Sequence, residues 1–248
     1  MDKISSLYLH FPFCKHLCNY CDFYKHKLLD EEQILDFNKL LDQQFEYHEK
    51  YLSTNNLKLE NLETLYLGGG TPSLWGSQGA EVLVNLLDKY KINLNLGCEM
   101  TLEVDPDTWS EESLHAWKKA GVNRFSIGSQ AFHDKFIRIM DRSHNLGQVE
   151  KTLKYLSDIH ANFSVDLMLG LPKSEDRNLA KELDKILEYN PNHLSLYILK
   201  TRKNYPLNAQ LPSDDIIHDE YLFVSKYLRS NGFRHYEVSN FAKPGFES

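Results

Sequence analysis

The chain has 248 residues, of which 42% are hydrophobic and 25% charged, and its formal net charge is −7 at pH 7. This length can bury a sizeable core in one large domain or two small ones, and the composition is that of a soluble globular protein. The acidic balance argues against nucleic-acid binding as the main activity. The lack of a signal-peptide pattern, and of any apolar run near roughly 20 residues, predicts a cytoplasmic protein.

Short β-rich runs alternate along the chain with segments of helical periodicity. Six runs predict strands, at 7–11, 64–67, 100–104, 124–128, 162–169 and 193–199. A helical pattern follows each of them, the first at 31–52 and the last at 213–229. In the third helix Ser110 is a good N-cap and Gly121 suits the C-terminal end. One further short strand is predicted at 235–239.

Strands that alternate with helices predict parallel pairing through right-handed crossovers. Six such units fit either an open, doubly wound α/β sheet or a partial barrel related to the TIM fold, and periodicity does not choose between them. In both architectures the chemistry collects at the carboxyl ends of the strands. Functional residues are therefore expected in the segments that directly follow the predicted strands.

The strongest local signal is the segment CKHLCNYC, which places Cys14, Cys18 and Cys21 in a C-x3-C-x2-C pattern after the first strand. Because cytoplasmic thiols stay reduced, this spacing indicates metal ligands rather than disulfides. Three thiolates on one loop can hold a [4Fe–4S] cluster in which one iron is open to a small molecule. The alternatives are three unrelated buried cysteines, or a zinc site completed by His10, His16 or His26. Cys98 is isolated in the sequence and is expected to be a small core residue.

A glycine-rich turn, Gly68-Gly69-Gly70-Thr71-Pro72, directly follows the second predicted strand. Consecutive glycines let the backbone approach a ligand closely and expose its main-chain groups. The turn is not a phosphate-binding Walker loop, because no Gly-Lys-Ser/Thr follows it. Taken alone it is a weak signal, since many turns between a strand and a helix are rich in glycine.

Polar residues end or follow the later strands. Glu103 and Asp105 end the third, Gln130 follows the fourth, and Asp166 lies inside the otherwise apolar fifth. A carboxylate in a buried strand must be paired or bound to a ligand, and Arg142 is a candidate partner. Either a ligand site or a set of structural salt bridges explains these residues.

In this order, the segments LYLHFPFCKHLCNYCDFY, LGGGTPS, LEVDP, SIGSQAF and VDLMLGLP resemble the radical S-adenosylmethionine family. Within that family the chain is similar, over nearly its whole length, to the group that contains oxygen-independent coproporphyrinogen III oxidase and the HemW-type heme chaperones. The resemblance implies a partial (β/α)6 barrel over residues 1–205. It also implies the start of a C-terminal α/β extension over residues 206–248.

The resemblance implies a role for each matching residue. Cys14, Cys18 and Cys21 would ligate a [4Fe–4S] cluster, whose open iron would take the amine and carboxylate of S-adenosylmethionine. Contacts to this molecule fall on Tyr8, Gly69 and Glu103. Contacts to a second S-adenosylmethionine, as in the oxidase, fall on Tyr20, Gly70, Thr71, Gln130, Arg142 and Asp166.

The family chemistry is also implied by the resemblance. An electron from the reduced cluster cleaves the sulfonium and yields a 5′-deoxyadenosyl radical, which abstracts a hydrogen atom. The chain would act as a heme chaperone that delivers heme to membrane acceptors, as an oxidase that decarboxylates coproporphyrinogen III, or as a radical enzyme with another substrate. The implied partners are heme or a porphyrin, heme-acceptor proteins, an electron donor and a peripheral membrane contact.

Both ends of the chain favour the chaperone version of this group. Leu7 follows Met1 almost at once, whereas several dozen residues precede this strand in the oxidase, and Tyr20 stands where the oxidase tends to have Phe. The closing segment HYEVSNFAKPG also resembles the chaperone. The chain then stops without a closing element, which indicates a truncated protein and places the chaperone's heme-binding signature beyond Ser248. The histidines that could replace it as heme ligands are His10, His16 and His235.

Overall fold

The computed structural model describes residues 2–248. These residues form two compact units. The first unit comprises 2–15, Phe23–Val104 and Thr108–Arg124, and the second comprises His16–Asp22, Asp105–Asp107 and Phe125–Ser248. Strands alternate with helices in each unit, which confirms the predicted α/β class. In the described part of the chain, no helix is long and apolar enough to cross a membrane.

The first unit is built on a parallel sheet. Its elements are β1 (Asp2–Phe11), β2 (Phe13–Cys14), β3 (His26–Lys27), α1 (Glu31–Thr54), β4 (Leu57–Gly69), a 3-10 turn (Pro72–Trp75), α2 (Gly76–Lys89), β5 (Leu94–Val104) and α3 (Glu111–Lys119). Strands β1, β4 and β5 pair in parallel in that order, as the βα pattern predicts. Strands β2 and β3 form a separate short parallel ladder, in which Cys14 lies opposite Lys27.

The helices of the first unit begin where the sequence supplies caps. The Asp30 carboxylate accepts a hydrogen bond from the Gln33 amide at 3.1 Å, at the start of α1. Ser110 and Ser113 form a reciprocal capping box at the start of α3, which confirms the predicted N-cap. Gly121 follows α3 with a φ of +110°, a conformation that favours glycine.

The second unit continues the alternation from β6, of which all residues except the first, Arg124, lie in this unit. Its elements are β6 (Arg124–Gln130), α4 (Asp134–Ile139), α5 (Leu146–Asp158), β7 (Asn162–Leu169), a 3-10 turn (Ser174–Asp176), α6 (Leu179–Glu188), β8 (His193–Ile198), a 3-10 turn (Asn208–Gln210), α7 (Asp214–Ser230), β9 (Arg234–His235) and β10 (Asn240–Ala242). The strand order is β6-β7-β8-β10-β9. Strands β7 and β8 are parallel, whereas β10 is antiparallel to both of its neighbours.

The prediction of a strand at 235–239 is wrong except at His235, which ends β9. Residues 236–239 form the bend that joins β9 to β10. The Glu237 carboxylate accepts a hydrogen bond from the Ser239 amide at 2.8 Å, which stabilises this bend. The Tyr236 hydroxyl lies 2.9 Å from Nε2 of His193. The aromatic and polar residues of this segment therefore make the contacts of a turn. They do not face the two sides of a strand.

Register places the predicted functional residues at the carboxyl edge of the first unit's sheet. Phe11, at the end of β1, lies opposite Gly69, at the end of β4, and Tyr8 lies opposite Tyr66. Apolar residues of β1, β4 and β5 next to this edge belong to the core and are almost completely buried: Leu9, Leu65, Leu67, Met100 and Leu102. A packed sheet therefore supports the polar groups at its edge.

Candidate cofactor site

The first cysteine is fixed through its main chain. The Cys14 carbonyl accepts a hydrogen bond from the Leu28 amide at 2.9 Å, and the Pro12 carbonyl accepts one from the His26 amide at 2.7 Å. The Cys14 side chain is buried. None of the four described cysteines, Cys14, Cys18, Cys21 and Cys98, forms a disulfide.

The glycine turn contacts the segment that leads into Cys14. The Gly70 amide donates to the Phe11 carbonyl at 2.7 Å, and the Thr71 amide donates to the Phe13 carbonyl at 2.8 Å. A Cβ atom on Gly70 would lie 2.6 Å from the Phe13 carbonyl oxygen, a distance that no real side chain shows. The close backbone approach predicted for this turn is therefore present. What it approaches is the chain itself, immediately ahead of the first cysteine.

Glu103 is oriented by two donors in the same unit. Its Oε1 accepts a hydrogen bond from the Tyr66 hydroxyl at 2.9 Å, and its Oε2 accepts one from the Gly69 amide at 3.1 Å. Gly69 has a φ of +117°, and a Cβ atom there would lie 2.8 Å from the His10 ring. Burial and, secondly, the Glu103 charge raise the pKa of Tyr8. The first unit thus brings together Tyr8, Gly69 and Glu103, the three predicted contacts to the first S-adenosylmethionine.

Arg142 is the centre of a polar network in the second unit. Its Nη2 donates to the Asp105 carboxylate and, at 3.3 Å, to the Gly128 carbonyl. Its Nη1 donates to the Tyr20 hydroxyl at 3.1 Å and lies 4.0 Å from the Cys18 sulfur. The Arg142 and Asp105 side chains are only 14% and 13% exposed. A buried ion pair therefore contacts the segment His16–Asp22, which carries Cys18 and Cys21 and is called the cysteine segment below.

His144 supports this ion pair from the other side of Asp105. Its Nδ1 lies 3.3 Å from Asp105 Oδ1, and its Nε2 lies 3.3 Å from the Ser129 carbonyl oxygen. Burial raises the pKa of Asp105, but the Arg142 charge and the His144 hydrogen bond outweigh it and hold that pKa well below its usual range. The carboxylate therefore stays ionised. The Nε of Arg142 is buried and has no hydrogen-bond partner among the described residues.

Burial has the largest effect on the pKa of two residues of the cysteine segment, Cys18 and Tyr20. It raises the pKa of the Cys18 thiol to about 11, although the Arg142 charge opposes this. It raises the pKa of Tyr20 to about 12, again against the Arg142 charge. The metal-free thiol is thus protonated at neutral pH. A metal that binds there would release its proton, because thiolate is the ligating form.

Two further predicted residues lie in the second unit. Gln130 ends β6 with a φ of +66°, an uncommon conformation for a residue with a side chain. The Asp166 carboxylate accepts hydrogen bonds from the Ser126 hydroxyl at 3.2 and 3.3 Å.

The predicted site residues divide between the two units. The first unit holds Tyr8, Cys14, Gly69, Gly70, Thr71 and Glu103. The second holds Cys18, Tyr20, Cys21, Gln130, Arg142 and Asp166. Among residues 2–248, no three Cys, His, Asp or Glu side chains are close enough together to hold a metal ion. The donor set nevertheless fits an iron–sulfur cluster chemically, because none of its three cysteines is in a disulfide and all three lie within eight positions of one another.

Three polar residues of these networks were not predicted from the sequence. Tyr66 and His144 contact the carboxylates of Glu103 and Asp105, and Asp141 contacts the cysteine segment. Spacing gives a partial signal for two of them, because Tyr66 lies two positions before the glycine turn and His144 two positions after Arg142. Asp141 carries no such signal, since its role depends on a tertiary contact.

Known proteins are similar to this chain in sequence and in fold. The profile of the Radical SAM superfamily matches residues 8–186, which is more than half of the chain. The chain belongs to the radical SAM superfamily. Membership implies a [4Fe–4S] cluster and S-adenosylmethionine as cofactors.

Individual relatives are similar over almost the whole of this chain. The chain is 34% identical over 257 residues to the heme chaperone HemW of Lactococcus lactis, covering 100% of this chain and 65% of that protein. It is 32% identical over 246 residues to HemW of Escherichia coli, covering 98% and 64%. It therefore spans slightly less than two thirds of their length. Among solved structures it resembles the E. coli coproporphyrinogen III oxidase HemN, a radical SAM enzyme, with a TM-score of 0.86 and 25% identity over 98% of this chain and 56% of the other.

Proposed function

We propose that the chain is the radical SAM core of a heme chaperone, which holds a [4Fe–4S] cluster and S-adenosylmethionine and passes heme to acceptor proteins. The observation that carries the proposal is the 34% identity to HemW of L. lactis over all of this chain. Identity to the coproporphyrinogen III oxidase is lower, at 25%. Heme transfer is an activity of the whole protein, of which HemW relatives have about a third beyond the matched part.

The cluster ligands are Cys14, Cys18 and Cys21. Their spacing and the absence of a disulfide at any of the three support this assignment. The β2–β3 ladder fixes the main chain of Cys14, while Arg142 contacts Cys18 through Nη1. When bound, the cluster supplies one-electron reduction of the sulfonium group. The task of the chain is to hold the ligands in place and to shield the site from water.

S-adenosylmethionine is held at the edge of the first unit. Glu103 is suited to accept hydrogen bonds from the methionyl ammonium group, because its two oxygens are already oriented by Tyr66 and Gly69. The left-handed backbone of Gly69 presents main-chain groups at the same edge. Tyr8 lies close enough for its pKa to respond to the Glu103 charge.

We also propose a site for a second S-adenosylmethionine. Its support lies in the buried Nε of Arg142, which has no partner among residues 2–248, and in the left-handed conformation of Gln130. Two other residues predicted for this site already have contacts within the protein. The amides of Gly70 and Thr71 donate hydrogen bonds to carbonyl groups of the segment that precedes Cys14. Those contacts favour a structural role for the glycine turn.

A second function, oxidation of coproporphyrinogen III, is favoured by the TM-score of 0.86 to the oxidase. The deciding experiment supplies anaerobically reconstituted full-length protein with heme in one arm and with coproporphyrinogen III in the other. Stoichiometric heme uptake without decarboxylation supports the chaperone. Conversion to protoporphyrinogen overturns it, and faster formation of 5′-deoxyadenosine with a different substrate would identify another radical enzyme.

A further inference from the structure

One carboxylate outside the predicted ligand set holds the cysteine segment from both sides of Cys18. Asp141 Oδ1 lies 3.1 Å from Nε2 of His16. Asp141 Oδ2 accepts a hydrogen bond from the Asn19 amide at 3.0 Å. His16 lies two positions before Cys18 and Asn19 one position after it. A single side chain therefore restrains the main chain and the side chains that flank this cysteine.

Asp141 makes these contacts from a backbone position that suits glycine. It follows the C-cap of α4 with a φ of +51°. Its amide bonds the Arg138 carbonyl at 3.0 Å, and the Arg142 amide bonds the Ile137 carbonyl at 3.2 Å. These two bonds define a Schellman motif, in which the left-handed residue is usually glycine. Since glycine would close the helix with less strain, the carboxylate is what aspartate adds at this position.

The same helix end also fixes the neighbouring Arg142, which donates to Tyr20 and approaches Cys18. Two consecutive residues thus contact the segment from His16 to Tyr20. The His16 and Asp141 side chains are 41% and 38% exposed, and exposed ion pairs contribute little to global stability. The effect of Asp141 is therefore local and concerns the shape of the segment.

We propose that Asp141 is a positioning residue for the iron–sulfur cluster, which restrains His16 and Asn19 and thereby places Cys18 for iron binding. This inference rests on the proposed cluster. Outer contacts that orient metal ligands typically change metal retention by roughly 10–100-fold when they are removed. A negative charge fixed beside the ligand segment also lowers the reduction potential of the cluster, because net charge near the cluster sets that potential.

Two substitutions in the full-length protein separate the carboxylate from the backbone. Asp141→Gly suits the left-handed conformation and removes both contacts. Asp141→Asn keeps an oxygen that can accept from Asn19 but loses the charge. After anaerobic reconstitution, we expect a chelator to remove iron from Asp141→Gly roughly tenfold faster than from the wild type, with Asp141→Asn intermediate. The midpoint potential, followed by electron paramagnetic resonance, rises in both variants, while the Tm of the metal-free protein does not fall.

His160→Gly is the matched control. His160 is exposed, has a φ of +50° and occupies the corresponding position of a Schellman motif at the end of α5. This variant relieves the same backbone strain and leaves the cysteine segment untouched, so iron release and potential should equal those of the wild type. Unchanged release and potential in Asp141→Gly overturn the inference and leave the cluster standing. A wild-type protein without iron and sulfide would instead overturn the proposed function and this inference together.

Discussion

Arg142 donates from Nη2 to the carboxylate of Asp105, and both side chains are largely withdrawn from solvent. The same guanidinium donates to the Tyr20 hydroxyl at 3.1 Å. A buried charge that loses its partner is strongly unfavourable, whereas the intact pair contributes little net stability. The pair therefore fixes where Arg142 lies, and through it the cysteine segment, more than it stabilises the fold.

Removal of the Asp105 charge is expected to destabilise the protein. Asp105→Asn leaves the Arg142 cation buried without its counter-charge, which should lower the free energy of unfolding by about 3–5 kcal/mol. Denaturant unfolding of the metal-free protein measures the change. The control is Asp158→Asn, because the Lys154–Asp158 pair is exposed and its loss should change that free energy by less than about 1 kcal/mol. Equal effects in the two variants would contradict this assignment.

The low pKa of Asp105 predicts how this stability depends on pH. Its carboxyl group binds a proton less readily in the folded than in the unfolded state, because Arg142 and His144 outweigh the effect of burial. Its contribution to stability is therefore complete above the unfolded pKa, about 3.9, and is lost as the pH falls below that value towards the folded pKa. The free energies of unfolding of the wild type and Asp105→Asn should differ by a constant amount from pH 7 to about 5, and this difference should begin to shrink as the pH falls from about 4 to 3. A difference that does not shrink below about pH 4 would show that the Asp105 charge is not the cause.

A methyl group on Gly70 is expected to separate the glycine turn from the segment ahead of Cys14. Its Cβ would lie 2.6 Å from the Phe13 carbonyl oxygen, so the backbone must move. Gly70→Ala should lower the free energy of unfolding by roughly 1–3 kcal/mol, as overpacking typically does, and reduce the iron retained after reconstitution. Gly147→Ala is the control, because its Cβ would meet only Asn145 Oδ1, at 3.4 Å. A stability loss as large in the control would contradict the steric explanation.

Binding of S-adenosylmethionine is expected to depend on the Glu103 charge. Glu103→Gln retains an acceptor oxygen but loses the charge that would face an ammonium group, and hydrogen bonds to charged groups contribute about 1.5–3 kcal/mol. The dissociation constant, measured by anaerobic titration, should rise roughly tenfold or more. Tyr66→Phe removes one hydrogen bond to Glu103 and leaves its charge, so the rise should be smaller. Similar affinity in Glu103→Gln and the wild type would remove Glu103 from the site.

Much of the fold follows from local sequence signals. The strand predicted at 162–169 is β7, Asn162–Leu169, because a buried apolar run bounded by polar residues is a strong signal. The first strand begins at Asp2 and not at residue 7, since its polar start shows no apolar pattern and depends on pairing with β4. The bend at 236–239 was predicted as a strand because a turn with aromatic contacts can mimic alternation.

The candidate site was predicted in its parts but not in its contacts. The glycines after β4 predict a close backbone approach, but only the register of Phe11 opposite Gly69 shows that the approach is to the chain itself. Arg142 and the acidic strand ends are visible as chemistry-bearing residues. The pairing of Arg142 with Asp105 depends on the packing of segments that are distant in sequence, and no local pattern encodes it.

The identity of the metal centre is tested by a pair of cysteine substitutions. Cys18→Ser should abolish the cluster, because serine does not replace the thiolate that iron–sulfur clusters require. Cys98→Ser should retain it, because Cys98 is an isolated, buried residue that contributes to the core of the first unit. Anaerobic reconstitution should give about four iron and four sulfide per chain in the wild type and in Cys98→Ser. Zinc without sulfide in the wild type, or a cluster that survives Cys18→Ser, would contradict the proposed ligands.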